Sequence, residues 1–401
     1  MTHELLWAVV AGVLVACTLP GTLELAALTL GSFVPRRRRR GTVSELRGLA
    51  IVVPAHDEEQ LVGDTVRRLV ESEAATCPVQ VVVVADNCSD GTADEAAAAG
   101  GRVLVRDDPA RRGKGFALDH AFRLLLAEPF DAFLVIDADT EVSSDVLKKV
   151  VEAFEGGAAA VQCRYDVANP EASARTRLRG LAFLAFNFLR LRSRERLGIS
   201  VGILGNGFGL TRATLEKVPY GATSIVEDLE YHLLLVRAGI RVRYLEEAVV
   251  LADLPVGAAE TQSQSSRWEG GRIGLMRRLT PGLALDALRG RTRLVEPLFE
   301  LLLLPLSYHV ALLVVLAAVP TLWGRAAAVA GLALVALHVL VAATLGGRLR
   351  DLPYLFLVPG FVLGKVLRLR SVLAASRRDA DWVRTGRENP AVANPQEIAR
   401  R

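Results

Sequence analysis

The sequence has few cysteine, histidine and aromatic residues, and each shortage argues against a class of protein. The four cysteines (Cys17, Cys77, Cys88 and Cys163) have no paired spacing, which argues against a disulfide framework and a CxxC-type zinc site. The six histidines form no metal-binding cluster, and aromatic residues make up only 6% of the chain. No nucleic-acid-binding module is recognisable, so we expect no nucleic acid among the partners.

Charged residues are scarce in two long apolar stretches near the ends of the 401-residue chain. Residues 5–34 contain a single charge, Glu24, and residues 298–345 contain long apolar runs separated by residues 320–325. Crossing a bilayer takes about 20 apolar residues. The two stretches, and a mean hydropathy of +0.31, therefore predict a multi-pass membrane protein.

Five consecutive arginines at positions 36–40 follow the first apolar stretch. A cleaved signal peptide, the alternative to a membrane anchor, carries its positive charge before the apolar run. Arginine and lysine are enriched on the cytoplasmic side of spanning helices, which places the middle of the chain in the cytoplasm. We expect residues 1–40 to anchor the protein in the cell (inner or plasma) membrane. The arginines either bind anionic membrane lipids or act only as a stop-transfer flank.

After this anchor, the chain alternates between strand-like and helix-like segments. Val- and Ile-rich runs predict buried strands at residues 49–54, 79–86, 101–107 and 132–139, and helices are predicted at residues 58–73, 92–99, 114–127 and 143–154. This alternation indicates a mostly parallel α/β sheet covered on both faces. In such sheets, ligands bind beyond the carboxyl ends of the strands.

Acidic residues and a lysine follow the predicted strands at that edge. Asp137 and Asp139 end the run that begins at residue 132, although burying a charge costs several kcal/mol unless it is paired or binds a metal. Mg²⁺ and Mn²⁺ prefer carboxylates together with phosphate oxygens, so this pair indicates a metal–diphosphate site. Asp86 ends another strand, and Lys114 begins a helix, a setting that suits phosphate. Taken singly, each feature is also typical of an ordinary turn or helix cap.

Two later segments combine arginine with apolar residues. Residues 174–198 predict an amphipathic helix that lies on a membrane or over a cleft, and a core-packed helix with a solvated basic face is equally compatible. Residues 240–250 predict a further strand, and residues 266–279 predict a second basic amphipathic segment.

The motifs taken together resemble a known enzyme family. "IVVPAHDEE", "VVVADNCSDGT", "RRGKGFAL" and "VIDADTEV" resemble the nucleotide-sugar half of family 2 glycosyltransferases, which have the GT-A fold. "GNGFGLTR", "SIVEDLEYHLLLVRAG" and "QSSRW" are similar to the acceptor half of the membrane-embedded branch, which includes cellulose synthase, hyaluronan synthase, poly-N-acetylglucosamine synthase and ceramide glucosyltransferase. The resemblance implies a Rossmann-like GT-A domain with flanking transmembrane helices and amphipathic interfacial helices.

The resemblance also implies which residues bind the nucleotide-sugar donor. They follow the first, second and fourth strands or begin a helix: Pro54, His56, Glu58, Asp86, Lys114 and Asp137. Asp86 matches the acid that recognises the base, and Asp57 replaces the usual Asn of the first motif. Asp137 and Asp139 match the pair that holds a divalent metal, Mg²⁺ or Mn²⁺, with the diphosphate.

On the acceptor side, Asp228 matches the catalytic base, and Glu227 precedes it. An inverting transfer needs one carboxylate that takes the proton of the acceptor hydroxyl. The other residues implied to bind the acceptor or the diphosphate are Gly205, Asn206, Gly207, Gln264, Arg267 and Trp268. Without the upstream motifs, "QSSRW" would be compatible with an interfacial tryptophan beside an arginine.

These features predict six parts of the chain. They are an anchor (1–40), a GT-A domain (48–255), the QxxRW segment with interfacial helices (256–295), a transmembrane hairpin (296–347), a re-entrant or interfacial segment (352–370) and a cytosolic tail (371–401).

The predicted activity is a hexosyl transfer from a nucleotide-diphosphate sugar to a saccharide or lipid-linked acceptor, in polysaccharide or glycolipid synthesis. A processive synthase that also translocates its polymer is the alternative, and with so few spans it would need a homodimer or an export partner. A catalytically silent membrane scaffold is the third possibility.

Overall fold

The computed structural model describes residues 3–36, 45–72, 75–222, 224–370 and 372; the side chains of residues 258–264 and 267 are not described. Within these residues, eight strands form one sheet: β1 (Leu49–Ala55), β2 (Val79–Asp86), β3 (Arg102–Arg106), β4 (Ala132–Val135), β5 (Glu141–Val142), β6 (Ala160–Val167), β7 (Phe208–Thr211) and β8 (Val242–Ala252).

The helices of the same residues lie before, between and after these strands. They are α1 (His3–Gly31), α2 (Val62–Val70), α3 (Thr92–Ala98), α4 (Lys114–Leu125), α5 (Val146–Glu155), α6 (Ala174–Phe183), α7 (Arg190–Leu197), α8 (Arg212–Lys217), α9 (Glu227–Arg237), α10 (Ala258–Leu288), α11 (Val295–Leu302), α12 (Leu306–Ala318), α13 (Leu322–Leu345) and α14 (Val358–Leu367). A π-helical turn, Leu184–Leu189, joins α6 to α7, and 3₁₀ turns precede α6, α11 and α14.

The strand order across the sheet is β3-β2-β1-β4-β7-β6-β8-β5. Strands β1 to β4 run parallel to their neighbours in that group, and β6 runs parallel to β8. Strand β7 is antiparallel to both β4 and β6, and β5 is antiparallel to β8. The predicted mostly parallel α/β sheet is confirmed, and the carboxyl ends of β1, β2 and β4 meet at one edge.

The sheet is buried on both faces because alternate residues of its strands point to opposite sides. Ile51 and Val53 pack with α2 and α5, while Ala50 and Val52 pack with α4 and α9. All four residues are fully buried. This two-sided core explains the apolar sequence runs, and it fixes the positions at which the strands reach the solvent.

The basic segment at residues 174–198 lies over a cleft, which was one of its predicted settings. Its residues Arg179, Phe186 and Arg190 line a large cavity. A solvated basic face is not what the structure shows at Arg194, which is 2% exposed and ion-paired. The segment ends at Gly198, whose φ of +80° suits a residue without a side chain.

Two of the described helices are long and apolar enough to cross a membrane, α1 and α13. A third candidate, Thr292–Leu302 with Leu306–Ala318, is bent by 68° at a short break, as in a broken span or a re-entrant loop. Helix α14 has ten residues and covers about 15 Å, half the thickness of the bilayer interior. The predicted boundaries of the domains remain predictions. The arginines at 37–40 and the tail, except Val372, lie outside the described residues.

Candidate active site

One large cavity of about 3470 Å³ connects the carboxyl edge of the sheet with the apolar helices. We call it the central cavity. At one end it is lined by residues that follow β1, β2 and β4, including His56 and Asp137. At the other end it is lined by α1, α12, α13 and α14, including Leu332 and Phe361. Polar and apolar chemistry therefore meet in a single space.

The ends of β1 and β2 are held together by His56 and Asp86. His56 Nδ1 lies 2.7 Å from the backbone oxygen of Asp86, which can only accept a hydrogen bond, so Nδ1 donates. The Asp86 carboxylate forms an ion pair with Arg106, and both side chains are buried. Arg106 was not among the predicted site residues, although the parallel register pairs Asp86 with Arg106 directly. The structure thus adds an arginine that orients Asp86.

The loops after β1 and β2 brace each other through backbone groups. The Asp57 carboxylate accepts a hydrogen bond from the Ser89 amide at 2.7 Å, and the Glu58 amide donates to Thr92 Oγ1 at 2.8 Å. Ligand atoms of Asp57, Cys88 and Asp90 lie within 4.8 Å of one another. Since Asp90 also accepts a bond from the Thr92 amide at 3.0 Å, we assign these loop carboxylates a bracing role.

Strand β4 ends at Val135, earlier than the sequence predicts, because the chain turns out of the sheet at the two predicted metal ligands. Ala138 is buried between Asp137 and Asp139, which are partly exposed and line the central cavity. Thr65 Oγ1 donates to the Ala138 carbonyl at 2.8 Å and holds this turn in place. The two predicted metal ligands therefore lie together at the carboxyl edge.

Lys114, the first residue of α4, reaches across to this turn. Its ammonium forms an ion pair with Asp137 Oδ1 and donates to the Gly205 carbonyl at 2.6 Å. Burial alone lowers the pKa of Lys114, but the carboxylates of Asp137 and Glu227 outweigh this effect and raise it. Lys114 is thus a charged lysine held against a predicted metal ligand.

Asn206 and Gly207 lie behind the wall of the central cavity. Asn206 is 1% exposed; its Oδ1 accepts from the Asp137 amide at 3.1 Å, and its Nδ2 donates to Thr140 at 2.8 Å. A Cβ on Gly207 would meet the Val250 side chain at 2.7 Å. Both residues face the protein interior in this structure, and their predicted role in binding the acceptor or the diphosphate stays a prediction. They position the Asp137 turn.

Glu227 and Asp228 form the first turn of α9 and line the central cavity. Burial raises the pKa of Glu227 to about 8, and the adjacent Asp228 carboxylate adds to the shift. Burial also raises the pKa of Asp228, whose Oδ1 accepts from the Leu229 amide at 2.7 Å. A Cβ on Gly205 would lie 3.4 Å from Asp228 Oδ2 and 3.8 Å from Lys114 Nζ. The Asp228 carboxylate and the Lys114 ammonium therefore both lie next to Gly205.

The predicted QxxRW motif lies in α10. Trp268 is 49% exposed and lines the central cavity. Gln264 and Arg267 belong to the same helix, but their side chains lie outside the described residues. Glu269 accepts a hydrogen bond from Tyr308 at 3.0 Å and forms an ion pair with Lys365. Trp268 is thus carried by a helix that is tied to α12 and α14.

A second group of charges, which the sequence analysis did not find, lies on the wall between α1, α7 and α11. Arg194 pairs with Glu296 at 2.7 Å, with Glu300 at 2.8 Å and with Glu24 at 3.3 Å. Arg190 pairs with Glu24 at 2.7 Å. We call these five residues the helix-junction cluster. No local sequence pattern predicts it, because its members come from three distant segments.

Comparison with known proteins agrees with this geometry. The family described as "Glycosyltransferase like family 2" matches residues 47–271. The probable glycosyltransferase YdaM of Bacillus subtilis (strain 168) is 24% identical over 241 residues, which are 58% of this chain and 57% of that protein. The beta-monoglucosyldiacylglycerol synthase of Trichormus variabilis is 29% identical over 203 residues, 49% of this chain and 42% of that protein. The matched region spans about half the length of each of these relatives.

A solved structure shows the same fold. The mannosyltransferase PcManGT from Pyrobaculum calidifontis, in complex with GDP-Man and Mn²⁺, superposes with a TM-score of 0.55 at 18% identity. The superposition covers 92% of this chain and 97% of that chain. The predicted GT-A fold is therefore confirmed. Since the family match covers more than half of the sequence, this chain belongs to the glycosyltransferase-like family 2.

Proposed function

We propose that the protein is an inverting glycosyltransferase that moves a sugar from a nucleotide-diphosphate sugar to an acceptor carried by a membrane lipid. The single observation that carries the proposal is the continuity of the central cavity, which runs from the carboxylates beyond β4 to the apolar helices. A donor bound at the polar end and a lipid at the apolar end would meet beside Asp228.

The polar end suits a nucleotide sugar and a divalent metal. Asp137 and Asp139 offer carboxylate oxygens beside open space, and such oxygens, completed by phosphate oxygens, are the ligand set of Mg²⁺ or Mn²⁺. When bound, the metal supplies positive charge to the departing diphosphate. Asp86, oriented by Arg106, is placed to accept hydrogen bonds from a base. Lys114 can donate to the diphosphate.

Asp228 is the proposed base. Its carboxylate takes the proton from the acceptor hydroxyl while that oxygen attacks the anomeric carbon, and the bond from that carbon to the diphosphate breaks on the opposite side. Configuration is thereby inverted. The raised pKa of Asp228 makes it a stronger base than an exposed carboxylate. Glu227, whose pKa is about 8, precedes Asp228 in the chain, and the protonation state of Glu227 changes the electrostatic field at the Asp228 carboxylate.

The apolar end suits a lipid rather than a wet sugar chain. Helix α13 presents Leu332, Val335 and Val339 to the central cavity, and α14 presents Phe361 and Val362. Trp268 lines the central cavity and is 49% exposed, so its ring can stack on the acceptor sugar or head group. A relative at 29% identity is named a beta-monoglucosyldiacylglycerol synthase, which further supports a glycolipid product. We propose that the protein spans the cell membrane with the sheet on the cytoplasmic side.

The test uses purified protein in lipid nanodiscs with Mg²⁺ or Mn²⁺ and a panel of nucleotide sugars. We expect nucleoside diphosphate release with one donor, and we expect it to increase when lipid extract is added. Asp228→Asn should slow release by a factor of about 10² to 10⁴. Glu230→Gln is the matched control, because Glu230 lies on the same helical turn and pairs with Arg278 at 2.6 Å. Folded protein that releases nothing with any donor would contradict the proposal and favour the scaffold alternative.

A further inference from the structure

The ammonium of Lys114 lies against a carboxylate that the metal also needs. We propose that Lys114 is the resident cation of the donor site, so that a divalent metal binds tightly only together with a nucleoside diphosphate. This inference rests on the proposed function, because it assumes the metal site at Asp137 and Asp139. It adds a coupling between metal and nucleotide that follows from the contacts of one lysine.

The contacts of Lys114 show how the lysine is held. One hydrogen-bond donor of its ammonium goes to Asp137 Oδ1, and another goes to the Gly205 carbonyl at 2.6 Å. The Lys114 and Asp137 side chains are only 21% and 32% exposed, so water screens their attraction weakly. Gly113, with a φ of +122°, starts α4 directly before the lysine and fixes where its side chain begins. The Lys114 side chain is therefore held in one position by specific contacts, and not only by a general attraction to the acidic edge.

The surrounding charges explain why a cation is needed at this position. Asp137, Asp139, Glu227 and Asp228 all line the same end of the central cavity. Carboxylates gathered in a partly dry site repel one another, and a positive charge among them lowers that cost. Lys114 supplies this charge before any ligand arrives. A divalent metal approaching alone must compete with the ammonium for Asp137.

A nucleoside diphosphate changes this competition. Its phosphate oxygens offer the ammonium new acceptors, which can replace Asp137 and the Gly205 carbonyl. The released Asp137 carboxylate is then available to the metal, and the added negative charge balances both cations. Because binding free energies are linked, the nucleotide raises the affinity for metal by the same factor by which the metal raises the affinity for nucleotide.

The experiment measures Mn²⁺ binding by the electron paramagnetic resonance signal of free Mn²⁺, without measuring sugar transfer. The full chain is titrated in uncharged detergent, first with Mn²⁺ alone and then with Mn²⁺ plus GDP or UDP. The variants are Lys114→Gln, which removes the charge, and Lys114→Arg, which keeps it. A double variant, Asp137→Asn with Asp139→Asn, sets the background from other sites, and thermal melting checks that each variant is folded.

We expect Lys114→Gln to bind Mn²⁺ alone about tenfold tighter than the unmodified protein, because one competing unit charge is gone. The gain in Mn²⁺ affinity on adding nucleotide should shrink by a similar factor in Lys114→Gln, and Lys114→Arg should behave like the unmodified protein. An unchanged or weaker affinity of folded Lys114→Gln for Mn²⁺ alone would overturn the inference.

A different result would remove the metal site itself. If the unmodified protein binds Mn²⁺ no better than the double variant, with or without nucleotide, the metal part of the proposed function fails, and the inference fails with it. If the double variant loses Mn²⁺ binding while Lys114→Gln binds Mn²⁺ as the unmodified protein does, the metal site at Asp137 and Asp139 is supported. Only the proposed role of Lys114 is then contradicted. The two failures are therefore distinguishable.

Discussion

The two ends of the central cavity are built in different ways. At the polar end, each functional side chain lies within a few residues of a strand end or at a helix start, as at Asp86, Lys114 and Asp137. At the wall facing the apolar helices, Arg194 meets Glu24 and Glu300, which belong to helices far away in the chain. The functional residues of the polar end can therefore be recognised from local sequence motifs. The charge pairs of the second region form only because helices that are distant in the sequence pack together.

This contrast assigns different tasks to the charges of the two regions. At the polar end, Lys114 and Asp137 remain 21% and 32% exposed and line the central cavity, where substrates can reach them. Arg190 and Glu300 of the helix-junction cluster also border the central cavity, but the charges of this cluster pair with one another, and Arg194 at its centre is 2% exposed. Substitutions at the polar end should therefore change activity, and substitutions in the cluster should change stability.

The largest effect is expected at Asp228. Asp228→Asn should lower kcat by a factor of about 10² to 10⁴, the usual contribution of a general base, while KM for the donor changes little. Thermal stability should stay the same or rise slightly, since the variant removes a buried charge. Steady-state kinetics and a melting curve on one preparation check both statements. A variant with unchanged kcat would remove Asp228 from the mechanism.

Arg194→Leu should lower the free energy of unfolding by about 3–5 kcal/mol, because Glu296 and Glu300 lose the arginine with which each forms its shortest ion pair. The matched control is Arg123→Leu, since the Arg123 side chain is 74% exposed and pairs with Asp119 on the same helix. Such a surface pair contributes about 0–1 kcal/mol. Thermal or denaturant unfolding in detergent compares the two variants. Equal losses would contradict the division between the two regions.

Trp268→Ala should raise KM for the acceptor about fivefold and leave donor hydrolysis unchanged, because stacking on a sugar or head group contributes about 1 kcal/mol. Trp268→Phe should restore most of the affinity. Trp323→Ala serves as the control, since Trp323 is also 49% exposed but does not line the central cavity. If both alanine variants raise KM equally, the tryptophan acts through the membrane surface and not through the acceptor.

The smallest effect concerns the pH dependence of stability at Glu227. Its pKa is about 8 in the folded protein and near 4.5 in the unfolded chain, so the folded state holds the proton more tightly between these values. The free energy of unfolding should therefore fall as the pH rises from about 5 to 8. Glu227→Gln, which cannot titrate, should remove most of this fall.

Melting curves at several pH values check the Glu227 prediction. Glu230→Gln provides the control on the same helical turn, because the Glu230 carboxylate is paired with Arg278. If Glu230→Gln flattens the pH dependence as much as Glu227→Gln, the raised pKa does not belong to Glu227.

Much of the donor half could be predicted from the sequence because periodicity and strand-end motifs are local. Strands β1 and β2 were predicted within one residue of their observed ends. Strands β5 and β7 have two and four residues, too few for alternation to show, and they exist through pairing with distant strands. The pairing of Arg106 with Asp86 could have been predicted from the sequence, because parallel strands that end together bring these two residues side by side.

The acceptor half was less predictable because its geometry depends on long-range packing. The basic segment at 174–198 showed its amphipathic character, but nothing local indicated that Arg194 pairs with Glu296 and Glu300. The bend between α11 and α12 was also missed, because the apolar run from residue 298 has the composition of one straight span. Hydropathy reports how apolar a segment is, whereas its path is set by neighbouring helices.

The most direct test of the account follows a labelled sugar into its product. Protein in nanodiscs that contain native lipid extract is incubated with the labelled donor selected by the panel, and the products are separated into organic and aqueous phases. We expect label in the organic phase, in a lipid whose mass has increased by that of a single sugar. Label in a lengthening water-soluble chain, formed without added lipid, would contradict it and would identify a polymer synthase.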